Sequence, residues 1–440
     1  MNVFAAVMTG KGTGAIATIQ LCGNSAADIL KRIFTPQGQK PAEFSTGKIL
    51  LGTIAAGSET IDQVTIGCEG NNTYAINCHG NPLIVEQLMQ LLQLQGVELL
   101  TAEQLFCKTS AGSNTIAIEA KLTLPKVKTF EGTQIILNQI DSGPEPPWFR
   151  AGLTASAKNW LQNPPGKIAA EAQKIIDKSK IAKLIIFGCR IVLAGPPNTG
   201  KSTLLNQLCG RQKAIVADIK GTTRDWVSAE CRIGSMSVEL IDTAGLDDKF
   251  TSDIDKAAQQ TATELINHAD IVLLVLDNSE PANQVDKSLT NILAGKKVLT
   301  VLNKSDLPAL SLVEGPCRFK ISRAGLAPPP VRDALRRNKN GGVNPTLQNT
   351  INISAKLGTG IDRLCDEIQR LADVENFDPN QPICFTPRQK QLLTQLSKAK
   401  SKDAACGELV EPADSIITEL LSGPLNKTHN AGNVIARSPD

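Results

Sequence analysis

Between Arg190 and Leu371, short runs of Val, Ile and Leu alternate with stretches whose apolar residues recur at helical spacing. The runs RIVLAG, MSVELID, DIVLLVLD, KKVLTVLN and NTINISA are nearly continuous in apolar residues. Strands of that kind are buried on both faces. They predict an α/β fold over residues 190–373, a mostly parallel sheet with helices on both sides. Residues 307–349 interrupt the pattern with GLAPPP and RRNKNGG and read as an exposed insertion. Residues 1–106 have a different rhythm. AIATIQL and NTYAINC alternate like strands, while SAADILKRIF and PLIVEQLMQLLQL carry helical spacing, which predicts a small α+β domain. Residues 107–189 hold the turn-rich stretches DSGPEPPW and NPPG and one amphipathic helix over 166–183, and read as a linker with a reduced helical region. In residues 374–440, PRQKQLLTQLSKAK predicts a helix, and beyond Lys402 the periodicity is lost and a tail is expected.

Composition narrows the function classes. A chain of 440 residues is too long for one ordinary core, so two or three domains are expected. A net charge of +3 gives no general electrostatic grip on nucleic acid, and no DNA partner is expected. No stretch of about 20 apolar residues is present, so no membrane partner is expected. The opening MNVFAAVMTGKGTG lacks a charged leader pattern. The 11 cysteines are scattered without a CxxC pair and read as free thiols of a reducing compartment, which makes a cytoplasmic protein the expectation. Three histidines are too few for a His-rich metal centre, and aromatic residues at 3% are too few for a base-stacking platform.

The stretch GPPNTGKSTLLNQL, residues 195–208, follows one of the apolar runs and opens a helix. It fits the phosphate-cradling pattern G-x-x-x-x-G-K-[ST] in the strand-to-helix setting that the pattern requires. Its glycines let backbone N–H groups turn inward around phosphate oxygens, and the helix N-terminus adds partial positive charge. Asn198, Thr199, Gly200, Lys201, Ser202 and Thr203 are the candidate contacts. Lys201 would reach the β- and γ-phosphates, as a catalytic charge, and the Ser202 hydroxyl would hold Mg²⁺. Asp242, Thr243, Ala244 and Gly245 (DTAG) end a second run. An acidic side chain there can touch the metal through water, and the Gly245 N–H can meet the γ-phosphate. Asn303, Lys304 and Asp306 belong to NKSD at the end of a third. A carboxylate at Asp306 can accept two hydrogen bonds from guanine, where adenine offers no such donor pair. Ser354, Ala355 and Lys356 (SAK) end a fourth and can meet the base oxygen through the backbone. Taken alone, DTAG is a strand-end turn and NKSD a helix cap. Four such loops in order on successive strands imply a domain that binds GTP or GDP.

With AIVADIKGTTRD and DTAGL, these residues resemble the tRNA-modification GTPases of the MnmE (TrmE) family. AAVMTGKGTGAIATIQLCG and INCHGNPLIVEQLMQLL are similar to that family's first strands and its His-Gly-Gly region. The resemblance implies GTP hydrolysis stimulated by K⁺. Asn198, the backbone carbonyls of Ala217 and Ile219, and Thr222 would surround that ion, and Thr223 would complete the Mg²⁺ site. Asp218, Lys220 and Gly221 lie in the same nucleotide-covering stretch. The family's water-orienting Glu is absent, since no Glu occurs between Asp242 and Gln260, and Asp255 stands at that position as the catalytic candidate. A homodimer, a flavoprotein partner of the MnmG type and tRNA are further implications. The family's folate donor would meet Gln20, Ala75 and Gly112 in place of its charged anchors, and the family's closing Cys-Ile-Gly-Lys is not in the sequence. A switch with weak hydrolysis and a ribosome-assembly GTPase are the alternative readings.

Overall fold

The computed structural model describes residues 3–10, 12–38, 43–110, 114–140, 152–211, 227–243, 262–280, 287–307, 350–398 and 413–423. The chain divides into two compact units, residues 1–118 with 424–440, and 119–423.

The first unit is built on a seven-stranded sheet in the order β3-β4-β5-β6-β2-β1-β7. Its strands are β1 (Phe4–Val7), β2 (Ile16–Cys22), β3 (Phe34–Pro36), β4 (Ile49–Ala56), β5 (Glu59–Gly70), β6 (Thr73–His79) and β7 (Glu98–Leu99). All pairs are antiparallel except β1 with β7. Ile19, Leu21, Val64, Ile66, Tyr74 and Ile76 face the core that the helices Ala26–Ile33 and Pro82–Leu94 close. The second helix starts where Asn81 accepts the Leu83 N–H at 2.9 Å and Pro82 fits a first-turn position that needs no N–H. Asn71 and Asn72 both take positive φ, 49° and 55°, which is the backbone a tight turn between β5 and β6 demands.

The second unit carries a six-stranded sheet in the order β13-β12-β11-β8-β10-β9. These are β8 (Cys189–Ala194), β9 (Val227–Ile233), β10 (Met236–Asp242), β11 (Ile271–Asp277), β12 (Val298–Asn303) and β13 (Thr350–Asn352). Every pair is parallel except the edge pair β9 and β10. β11 is buried along its whole length, as its unbroken IVLLVLD predicts.

Helices from both sides of this sheet in the sequence pack on one another. Glu119, on the helix Thr115–Thr123, lies 2.9 Å from Arg388 Nε and accepts from Gln389 Nε2 at 2.7 Å and Thr386 Oγ1 at 2.8 Å. Arg388 also donates to the carbonyls of Glu419 and Leu420. Gln139 Oε1 accepts the N–H groups of both Leu153 and Ile383 at 3.0 Å. Residues 107–189, read in sequence as a linker with a reduced helical region, also supply the helices Phe130–Leu137 and Leu153–Trp160. The stretch beyond Lys402 contains the helix Ala413–Ser422. It is too short for its periodicity to stand out, and its buried Ile416, Ile417 and Leu420 supply the packing that holds it.

Candidate functional site

In a parallel sheet the carboxyl ends of the strands point one way, and the loops leaving them share one rim. Here the ends of β8, β10, β12 and β13 bring together 195–203, Asp242 and Thr243, 303–306, and 354–356.

The loop after β8 turns sharply. Gly195 has φ 140° and Gly200 φ 89°, and a Cβ at Gly195 would stand 2.2 Å from the Val275 carbonyl oxygen. Asn198 occupies the left-handed region at φ 61° and is exposed, a conformation Asn tolerates better than most residues. Lys201, 3% exposed, curls back so that Nζ donates to the carbonyls of Gly195 at 2.7 Å and Pro196 at 2.9 Å. Thr199 Oγ1 donates to the Pro196 carbonyl at 3.0 Å. The Ser202 hydroxyl donates to Asp242 Oδ2 at 2.5 Å. Thr203 follows on the exposed side of the helix Lys201–Arg211. Thr243 Oγ1 donates to the Leu193 carbonyl at 2.8 Å and pins the end of β10 to that of β8.

Asn303 joins three of these loops. Its side-chain Nδ2 donates to the Thr199 carbonyl at 2.8 Å, and its Oδ1 accepts the Ala355 N–H at 2.9 Å. A Cβ at Gly200 would fall 2.3 Å from that Nδ2, so the phosphate loop can approach Asn303 only with glycine there. Lys304, at φ 60°, pairs with Asp277 Oδ2 at 2.6 Å. Burial alone would raise the Asp277 pKa, but hydrogen bonds from Lys304 and from the hydroxyl and N–H of Ser279 bring it below the usual carboxylate range. Asp306 is exposed, and a hydrogen bond from the Ser354 hydroxyl, its own backbone N–H and the charge of Lys356 hold its carboxyl down as well. At neutral pH it is ionised and can only accept hydrogen bonds.

Ala217, Asp218, Ile219, Lys220, Gly221, Thr222, Thr223, Ala244, Gly245 and Asp255 lie outside the described residues. So do Gly112 and nearly all of the insertion at 307–349. Sequence reasoning missed Asp277, which orients Lys304. The signal was an acidic residue closing the most apolar strand of the chain.

The hydroxyl of Ser202 beside the buried carboxylate of Asp242 is the all-oxygen donor set that a hard divalent cation takes. A folate fits poorly at its expected place. Gln20 and Ala75 face each other across β2 and β6, and Gln20 Nε2 donates to Glu69 at 2.9 Å. These residues offer no cation to an anionic tail.

Residues 190–304 match the family described as 50S ribosome-binding GTPase, and residues 3–104 match the GTP-binding protein TrmE N-terminus. A tRNA modification GTPase MnmE of Bacillus mycoides (strain KBAB4) is 30% identical over 342 residues, 70% of this chain and 73% of that protein. One of Alkaliphilus oremlandii (strain OhILAs) is 28% identical over 340 residues, with the same shares covered. Among solved structures, Era in complex with MgGDPNP and a piece of 16S ribosomal RNA is 27% identical, covering 42% of this chain and 56% of its own, with a TM-score of 0.31. With a GTPase domain and a TrmE-type N-terminal domain both matched, and a 30% identical relative aligned along most of its length, the chain belongs to the MnmE (TrmE) family of GTPases.

Proposed function

We propose that this GTPase is stimulated by K⁺ and that its cycle serves modification of tRNA. The observation that supports a hydrolase most directly is the joining of the phosphate loop, the Asp242 strand end and the guanine-type loops on one rim through Asn303 and Ser202. Ser202 and Thr223 would hold Mg²⁺; Asn198, Thr222 and the carbonyls of Ala217 and Ile219 would hold K⁺. Bound there, the two ions would supply positive charge that stabilises the negative charge developing on the phosphates. Lys201 adds its own charge at the same oxygens once its Nζ leaves the two loop carbonyls. Asp306 and the backbone of Ser354 to Lys356 select guanine. Asp255 orients the attacking water. The N-terminal domain pairs two copies, and tRNA with a flavoprotein of the MnmG type are the partners, in the cytoplasm.

A second reading is a nucleotide-dependent switch with weak hydrolysis. Asp255 favours it, because an Asp side chain is one methylene shorter than the Glu it replaces. GTP turnover by the purified chain in potassium and in sodium buffer separates the two, with Asn198→Ala and Asp255→Ala alongside. The hydrolase reading expects potassium stimulation that both variants lose. Tight GTP binding with equal, near-zero turnover in both salts would leave the switch.

A further inference from the structure

The helix Pro165–Ile186 is 22 residues long and turns Ile168, Ile175 and Ala182 inward, at spacings of seven. Ala170, Gln173 and Asp177 share the opposite line and are exposed. Lys167, Lys174 and Lys178 run along one margin of that line, and Lys183 lies on the other, all of them exposed. The two acids of the helix are occupied. Glu171 accepts from Trp160 Nε1 at 2.6 Å, and Asp177 pairs with Lys180 at 2.8 Å. The helix Pro387–Lys398 packs alongside and has no acidic residue. Cys384, whose N–H donates to Ser179 Oγ at 2.8 Å, marks the seam between the two helices. Burial pushes its thiol up, and the Ser179 hydroxyl and the charges of Lys390 and Lys183 oppose that, which sets the two ammonium groups on one side of the seam.

The geometry points to this lysine-flanked face as a docking surface for the sugar-phosphate backbone of a tRNA stem. The identity of the partner rests on the proposed role in tRNA modification; the charge of the surface does not. The chain as a whole carries only +3, and this one helix, with five lysines against two acids, carries as much. The positive charge is therefore concentrated where the chain average hides it. Lys167 and Lys183 are sixteen residues apart, about 24 Å along the axis, a length over which a duplex presents several phosphates. The small side chain of Ala170 lets a backbone ridge come close, and lysines from both margins can reach it. Neither helix carries an aromatic side chain on which a base could stack. The surface thus suits the shape and charge of a paired stem rather than the bases of a loop.

The face lies away from the nucleotide. The helix leads into the start of β8, whereas the phosphate loop leaves the end of that six-residue strand, about 20 Å further on. RNA on the helix therefore leaves the nucleotide rim open.

The test follows the fluorescence anisotropy of an end-labelled tRNA transcript with the full chain, from about 50 to 200 mM salt. Lys174→Gln combined with Lys178→Gln and Lys183→Gln is expected to weaken binding at least about tenfold and to reduce the slope of log K against log salt by about 2–3. Arg at the same three positions should keep the affinity within about twofold of the parent, since the charge is retained. GDP affinity and thermal unfolding should not change in either variant. Lys31→Gln with Lys48→Gln and Lys108→Gln removes the same charge from the first unit and should change binding by less than about threefold. Equal losses from the two Gln triples, or an unchanged affinity in the first, would overturn the surface. So would loss of binding to phosphatidylglycerol vesicles with tRNA binding intact, which would assign the face to a lipid surface. A parent chain without salt-sensitive affinity for tRNA would overturn the tRNA reading itself, an outcome distinct from a parent that binds and a variant that binds equally.

Discussion

Replacing Asn303 by Ala removes one side chain and orphans two backbone groups, the Thr199 carbonyl and the Ala355 N–H. Asn303 is 3% exposed, so water does not simply take its place. An unsatisfied buried polar group costs about 1–3 kcal/mol. For two of them, with some relaxation toward solvent, the loss is about 2–4 kcal/mol. The two groups belong to the phosphate loop and to the loop after β13, so the loss is expected to fall mainly on the arrangement that holds the nucleotide. At about 1.4 kcal/mol per tenfold, GDP affinity should drop by about 30- to 1,000-fold. Asn303→Asp is the more instructive partner. One oxygen can still accept the Ala355 N–H, but the other faces the Thr199 carbonyl, so acceptor meets acceptor and the loss should be at least as large. Titration with a fluorescent GDP reads the affinity, and thermal unfolding without nucleotide reads the fold. Binding by Asn303→Ala within about threefold of the parent, a difference of less than about 0.7 kcal/mol, would refute the claim that this side chain joins the loops.

Gly195→Ala should abolish nucleotide binding, because its Cβ would lie 2.2 Å from a main-chain oxygen that cannot swing away; retained binding in an equilibrium assay would count against that geometry. Asp306→Ala should reduce the preference for GTP over ATP, read by competition between the two, while phosphate contacts persist. The Asp277 carboxyl titrates lower in the fold than in the open chain, so its stabilisation is present above the unfolded value of about 3.9 and is lost as pH falls through the folded one. Lys304→Ala should therefore flatten the acid limb of the unfolding curve below about pH 4. Glu119→Ala should leave Arg388 charged and buried at a cost of about 3–5 kcal/mol in urea unfolding.

The strands that present the site are legible in the sequence for a physical reason. β8, β11 and β12 are covered on both faces, so nearly every position must be apolar, and the loop residues stand out where the run stops. β9 has no such signature. It is an edge strand with Cys231 and Ile233 as its buried residues and with Val227 62% exposed, so its place next to β10 shows only in the register. β4 and β5 escape reading in a similar way, since Gly52 and Asp62 dilute their alternation. Asp277 illustrates a different limit. As a letter it is a polar residue after a strand, and its role depends on Lys304, which lies on the neighbouring strand's loop.

Spacing alone shows the helices Pro165–Ile186 and Pro387–Lys398, while Leu153–Trp160 and Ala413–Ser422 are too short for it. None of these pieces has a full core of its own: Ala413–Ser422 contributes three buried side chains, and Pro387–Lys398 is mostly polar. Their stability comes from partners more than two hundred residues away, as Arg388 and Gln389 on Glu119 and Ile383 on Gln139 show. A chain that closes its helices around both ends of the GTPase sheet makes that sheet's two termini part of one packed body. Cys384 N–H on the Ser179 hydroxyl, at 2.8 Å, joins the segment leaving the sheet to the helix that leads into it. These buried hydrogen bonds tie the helix that leads into β8 to the segment that follows the helix Ile361–Ala372, so Glu119 and Gln139 substitutions should lower the stability of the whole unit although neither residue is near the phosphate loop's contacts.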